Sequence, residues 1–230
     1  MKKISVLLLL TISLSTVFAQ NKLTKAEKKQ GWKLLFDGKT TTGWHTYNKT
    51  SVGQAWKVVD GAIMFDTTAK GGGDIVTDNT YDNYEFSIDW KISKNGNSGL
   101  IFNVKEDPSL NQTYFSGPEF QVADSGHPDA KIFKHAAGDL YDLIPSAKPV
   151  AKNGEWNTAR IVNNKGLLQL FLNNTKVVET RIDDQAWKDL IAGSKFKKMP
   201  EFGKYLGGKI ALQDHGNAVW FRNIKIRVLK

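Results

Sequence analysis

Apolar and polar positions alternate with a period of two over much of the chain, the mark of strands with one buried and one wet face. The cleanest run is Tyr84–Ile92. Phe86, Ile88, Trp90 and Ile92 take one face, and Glu85, Ser87, Asp89 and Lys91 the other. Trp56–Phe65 reads as a hairpin around Asp60-Gly61, residues that accept the positive backbone angles of a tight turn. Leu100–Val104, Leu140–Pro145, Glu155–Val162, Leu167–Leu172, Thr175–Glu179, Lys209–Gln213 and Val219–Leu229 add further extended segments. One stretch has helical spacing: Asp184–Ala192, acidic at its start, with Ala186, Trp187, Leu190 and Ile191 as a stripe. Roughly ten to twelve strands, one short helix and no internal repeat predict one all-β domain, two antiparallel sheets packed face to face.

Two strands carry unusual polar faces. In Gly117–Asp124, Phe120 and Val122 point one way, and Glu119 and Gln121 the other. Ile210–Gly216 repeats the construction, with Gln213 and His215 on one face and Asp214 between them. Strands ending in Gln, Asp and Glu or His suggest one outer face built for a ligand. Such a face, rimmed by Trp and Tyr, suits a saccharide: rings stack on a pyranose while carboxylates and amides bond its hydroxyls.

Composition narrows the setting. Lys2 and Lys3, the apolar run Ile4–Val17 and Val17-Phe18-Ala19 have the form of a secretory signal peptide over 1–19, with Gln20 as the new N-terminus. The run is shorter than the roughly 20 residues of a membrane span, and no later segment is one. No cysteine follows, so there is no lipid attachment point, thiolate metal site or cysteine nucleophile. A secreted or periplasmic protein is expected, with 20–30 a flexible arm and 31–230 the single β-sandwich domain. Removing Lys2 and Lys3 takes the formal charge of +9 to +7. The excess gathers in Lys22–Lys29 and Lys195–Lys204, neither with the alternation of basic and aromatic residues that nucleic-acid grooves have, and reads as solubility or mild attraction to anionic polymers rather than nucleic-acid binding.

Several motifs resemble a known family in order: Gly31-Trp32-Lys33-Leu34-Leu35-Phe36-Asp37-Gly38-Lys39 with Trp44, Asn97–Phe102, Gly117–Val122, Leu140–Leu143, Gly154–Asn157, Gly208–Gly216 and Val219–Ile226. The chain resembles the 3-keto-disaccharide hydrolase domain family, also described as 3-keto-glucoside 1,2-lyase and 2-hydroxy-glucal hydratase, from about residue 31 to 229. The resemblance implies a concanavalin A-like jelly-roll sandwich. It also implies a small saccharide or glycoside substrate oxidised at carbon 3, cleaved by elimination, hydration or both, and a partner sugar 3-oxidoreductase. A conventional glycosidase on the same fold and a non-catalytic carbohydrate-binding module are the alternatives.

Such chemistry needs a base, an acid and a group that stabilises an enolate. Glu119 is the first candidate carboxyl. His215 suits a general base or a metal ligand, with Asp214 orienting it or bonding a turn, and His135 reads as an exposed loop histidine or as a second acid or base. Gln121, Gln213 and Asn97 are candidates for binding hydroxyls. Asp124 joins them only if a bulge turns the strand end. Tyr141 donates to an oxyanion or packs, Asp142 ligates or bonds a turn, and Asp74 looks in from the loop after Gly71-Gly72-Gly73. Trp44, Trp56 and Trp156 are sugar platforms or core. Arg222 occupies an expected inward position, where it would pair with Glu119. His45 and His127 read as surface residues. A divalent metal is open as a cofactor, with Glu119 and His215 as candidate ligands, though no tight ligand spacing supports it.

Overall fold

The computed structural model describes residues 20–230; the leader expected over 1–19 lies outside them. In chain order the elements are α1 (Lys25–Lys29), β1 (Lys33–Leu34), β2 (Trp44–Thr46), β3 (Trp56–Val59), β4 (Ala62–Phe65), β5 (Ile75–Thr77), β6 (Tyr84–Ile92), β7 (Asn97–Val104), β8 (Glu119–Ala123), β9 (Asn157–Asn164), β10 (Leu167–Leu172), β11 (Thr175–Arg181), α2 (Gln185–Ala192), β12 (Lys209–Leu212) and β13 (Val219–Val228). They form two antiparallel sheets. The larger runs β11-β10-β9-β6-β13-β4-β3, with β1 also on β13; the smaller runs β2-β5-β12-β7-β8. The jelly-roll expectation holds.

The period-two pattern places the core. Phe86, Ile88 and Trp90 of β6 and Phe221 of β13 meet Leu100 and Phe102 of β7 and Phe120 and Val122 of β8 between the sheets, all buried. The hairpin turn falls at Asp60-Gly61, both with positive φ. The α2 helix starts where Asp184 accepts the Trp187 N–H at 2.9 Å.

Three expectations change. The arm at 20–30 is docked rather than free: Asn21 is buried and its N–H bonds Asn223 Oδ1 at 2.7 Å, Gln20 reaches the Asp60 and Gly61 carbonyls, and Thr24 and Glu27 cap α1 with a capping box. A second helix therefore joins the one expected. The Leu140–Pro145 segment is no strand of its own. Leu140 bridges to Phe120 and to Ile144, and the N–H of Gln121 reaches Asp139 O while that of Tyr141 reaches Glu119 O, each at 3.0 Å. This turn covers the free edge of β8. The wet face of β6 is also mostly covered, since Glu85 is buried beneath Arg160 and Arg227.

Candidate active site

The outer face of the five-stranded sheet is divided by sequence into two halves. Tyr47, Val76, Ile101, Val104 and Ala211 form a small apolar cluster, with Tyr114 packed on it. Beyond them come Glu119 and Gln121 from β8, Asn97 from the start of β7 and Gln213 just after β12. All four polar residues are buried. Strand register sets the order. Ile101 pairs with Glu119 and Gly99 with Gln121, so Glu119 lies where the apolar half meets the amide half. A Cβ at residue 99 would collide with the Glu119 carboxyl, so only glycine lets that side chain lie across β7.

A cavity of about 400 Å³ opens here, lined by Asn97, Glu119, Gln121, Gln213 and His215 on the sheet side and by Tyr114, Tyr141, Lys195, Phe196 and Met199 from loops. That volume is at the small end of the range for ligand pockets, roughly 300–1,000 Å³. Glu119, 7% exposed, receives one long hydrogen bond, from Gln213 Nε2 at 3.4 Å. Burial raises its pKa to about 8, with Asp74 and Asp129 adding to the rise and Lys195 and Gln213 opposing it. At neutral pH it is a neutral acid. Gln121 Nε2 donates to Asn97 Oδ1 at 3.1 Å. The side-chain amide oxygens of Gln121 and Gln213 are buried and have no partner. Two unpaired acceptors beside a protonated carboxyl fit a ligand rich in hydroxyl donors.

Of the other sequence candidates, the pocket takes in Tyr141 and His215. His215 is exposed at the rim, with the His127 ring edge-on at 6.3 Å, so His127 is part of this neighbourhood rather than a remote surface residue. His127 Nδ1 accepts the Asp129 N–H at 3.1 Å, which leaves Nε2 to carry the ring proton when the ring is neutral.

The remaining candidates lie elsewhere. Asp124 does not join Glu119: its Oδ1 accepts the N–H groups of Asn95 and Gly126, closing turns. Asp214 likewise bonds backbone, accepting from Gly73 N–H at 2.7 Å and Gly216 N–H at 2.9 Å. Asp74 sits behind the wall. It accepts the Thr113 hydroxyl and the Asp214 N–H, and burial lifts its pKa to about 6 against those bonds. Asp142 bonds the Lys195 N–H at 2.8 Å and His135. His135 is no exposed loop residue; it is 7% exposed between Asp129 and Asp142. Trp44 and Trp56 belong to the core, with their indole N–H groups spent on the carbonyls of Leu35 and Gly73. Arg222 lies on the outer face of the other sheet, 3.9 Å above the Trp156 ring and 3.7 Å from Asp89, so the pairing with Glu119 fails on topology. His45 is also no free surface residue: its ring nitrogens face Asp78 at 2.5 Å and Glu106 at 3.0 Å.

Sequence reasoning missed Lys195, Tyr114, Phe196 and Met199. The sequence of Lys195–Lys204 reads as solvated charge, yet Phe196 within it is buried and stacked on Phe202 at 3.9 Å. An aromatic set among lysines was the available signal. Among the described residues no three His, Cys, Asp or Glu side chains are grouped to hold a metal ion. Glu119 and His215 alone do not make a divalent-cation site.

Comparisons with known proteins bear on the family and the sandwich fold. A family model described as a 3-keto-alpha-glucoside-1,2-lyase-like domain matches residues 31–227. A 3-keto-disaccharide hydrolase of Bacteroides thetaiotaomicron is 39% identical over 228 residues, covering 86% of this chain and 79% of the relative. A crystal structure of a Parabacteroides distasonis protein assigned as a glycosyl hydrolase superposes with a TM-score of 0.83 at 33% identity, over 92% of this chain and all of that one. At 14% identity and a TM-score of 0.50, a Bacillus subtilis protein of galectin-like fold shares the sandwich alone, over 91% of this chain and 94% of that one.

Proposed function

Because the chain belongs to the 3-keto-alpha-glucoside-1,2-lyase-like domain family, we propose that this carbohydrate-acting enzyme cleaves 3-keto-glycosides by elimination followed by hydration. The observation that carries the proposal is Glu119, a buried neutral carboxyl flanked by two unpartnered amide oxygens at the floor of a small pocket.

The reaction is assigned as follows. The Gln121 and Gln213 carbonyls accept hydrogen bonds from sugar hydroxyls. A base removes the hydrogen on carbon 2, which the adjacent ketone acidifies, and the electron pair moves to the oxygen on carbon 3. His215 at the rim is the base. Lys195, a wall residue of the pocket whose Nζ lies 4.0 Å over the Tyr141 ring, is assigned to that oxygen. Its positive charge stabilises the enolate. The enolate collapses, the bond from carbon 1 to the leaving oxygen breaks, and Glu119 protonates that oxygen. Water then adds across the double bond, hydroxyl to carbon 1 and proton to carbon 2, and the net change is hydrolysis.

A two-carboxylate glycosidase is disfavoured, since Glu119 is the one carboxyl among the described residues lining the pocket. The leader-like residues 1–19 support export, and a ketone-bearing substrate requires a sugar 3-oxidoreductase upstream. The test is incubation with a 3-keto-glucoside and with its unoxidised parent in deuterated buffer, with and without chelator. Release of 3-keto-glucose carrying deuterium at carbon 2, from the oxidised sugar alone and unaffected by chelator, is expected. Cleavage of the parent without exchange would return the two-carboxylate reading.

A further inference from the structure

We propose that His135 is a positioning residue, a clamp that holds Lys195 and Tyr141 in the pocket wall. The inference rests on the catalytic reading above for the role of Lys195. Neither wall residue lies in a strand: Tyr141 is tied to the edge of β8 by its N–H to Glu119 O, and Lys195 opens a single 3-10 turn, so neither side chain is fixed by a ladder of its own. His135 Nδ1 lies 2.8 Å from Asp129 Oδ1, and the other oxygen of Asp129 accepts the Tyr141 hydroxyl at 3.0 Å. On the opposite side His135 Nε2 lies 3.1 Å from Asp142 Oδ1, and the other oxygen of Asp142 accepts the Lys195 N–H at 2.8 Å. The His135 ring also packs on Tyr141, with centroids 4.2 Å apart.

Carboxylates only accept, so each of the two contacts is a hydrogen bond when the His135 nitrogen facing it carries a proton. Each carboxyl is held below its usual range. Burial opposes this for both; for Asp129 the bonds from His135 and Tyr141 outweigh it, and for Asp142 those from the Lys195 N–H and His135. The backbone shows the same over-determination. Asp142 has φ of 60°, sparsely populated for a residue with a side chain, and its own N–H bonds Lys134 O at 2.9 Å. His135 is buried and does not line the cavity, so it acts through its neighbours and not on the substrate.

The test is a double-mutant cycle of His135→Ala with Lys195→Met. Displacing Lys195 by an ångström is expected to cost roughly 100-fold in kcat, with KM nearly unchanged. No further loss is expected when His135→Ala is added to Lys195→Met, because both remove one interaction. Added imidazole should restore part of the kcat of His135→Ala. Multiplied losses in the double variant, or an unchanged kcat, would overturn the clamp. A second readout does not need turnover. Amide exchange over residues 194–199 should be at least about tenfold faster in His135→Ala, while the β6 and β9 amides stay protected. Unchanged exchange refutes the clamp even if no keto-glycoside is cleaved; faster exchange without turnover keeps the clamp and sinks the catalytic reading. Should His135→Ala not fold, His135→Gln serves in both experiments.

Discussion

The outer faces of the two sheets each bury a glutamate, to opposite effect. Glu85 on β6 is 6% exposed and meets Arg160 Nη1 at 2.8 Å and Arg227 Nε at 2.7 Å, so both its oxygens are paired with guanidinium groups. Its surroundings repeat the theme: Arg160 lies 3.5 Å over Phe171, and Arg222 stacks on Trp156. Glu119 on β8 is equally buried, yet no guanidinium reaches it, and its strongest partner is an amide at 3.4 Å. One face spends its charge on structure. The other leaves a carboxyl and two amide oxygens unspent, a condition that costs stability and is useful only if a ligand completes it.

The largest test of this contrast is Glu119→Gln. Loss of the acid should lower kcat by about 10²–10⁴-fold, read in the deuterium-exchange assay. Its stability should also lose a pH dependence. The folded pKa of about 8 lies above the ordinary value of 4.5, so the contribution of Glu119 is fully present below about pH 4.5 and is lost as pH rises through about 8. The unfolding midpoint of the wild type should therefore fall relative to Glu119→Gln across that window. A constant difference would contradict the assignment.

Glu85→Gln should do the reverse. Activity should stay near wild type while stability falls by about 1–2 kcal/mol, less than for a fully buried pair because both arginines are about a third exposed. Thermal unfolding reads this as a drop of several degrees. A smaller effect is expected at Asp74, whose pKa of about 6 also lies above its ordinary 3.8. Asp74→Asn should flatten the part of the stability profile between about pH 4 and 6. Activity should fall only modestly, because Asp74 holds the Thr113 and Asp214 segments that carry Tyr114 and His215. The smallest effect belongs to Arg222→Ala, which should leave kcat/KM unchanged. A large loss there would mean that the other face takes part in the chemistry.

What the sequence made legible follows from what alternation can carry. Within one strand, period two separates Glu119 and Gln121 from Phe120 and Val122, and Gln213 from Leu212, whatever the fold around them. It could not show the bulge in β13: counted back from Ile224 and Ile226 the alternation puts Arg222 inward, but the register shifts between Arg222 and Lys225 and the side chain turns outward to Asp89. Nor could it separate a carboxyl facing a ligand from one closing a turn, and Asp124 and Asp214 proved to be the latter. Trp44 shows the same ambiguity for an aromatic ring, settled by its bond to Leu35 O inside the core. The loop wall was the least legible part. Lys195, Tyr114 and Met199 reach the pocket through contacts between segments distant in sequence, and no local spacing records them.

The measurement that tests the account most directly is a carboxyl-carbon NMR titration of protein labelled in glutamate, wild type against Glu119→Gln. A resonance absent from the variant that titrates near pH 8 is the expected result. If that resonance titrates near the ordinary value of about 4.5, Glu119 is a common surface-like carboxylate, and the proposed acid in the pocket does not exist.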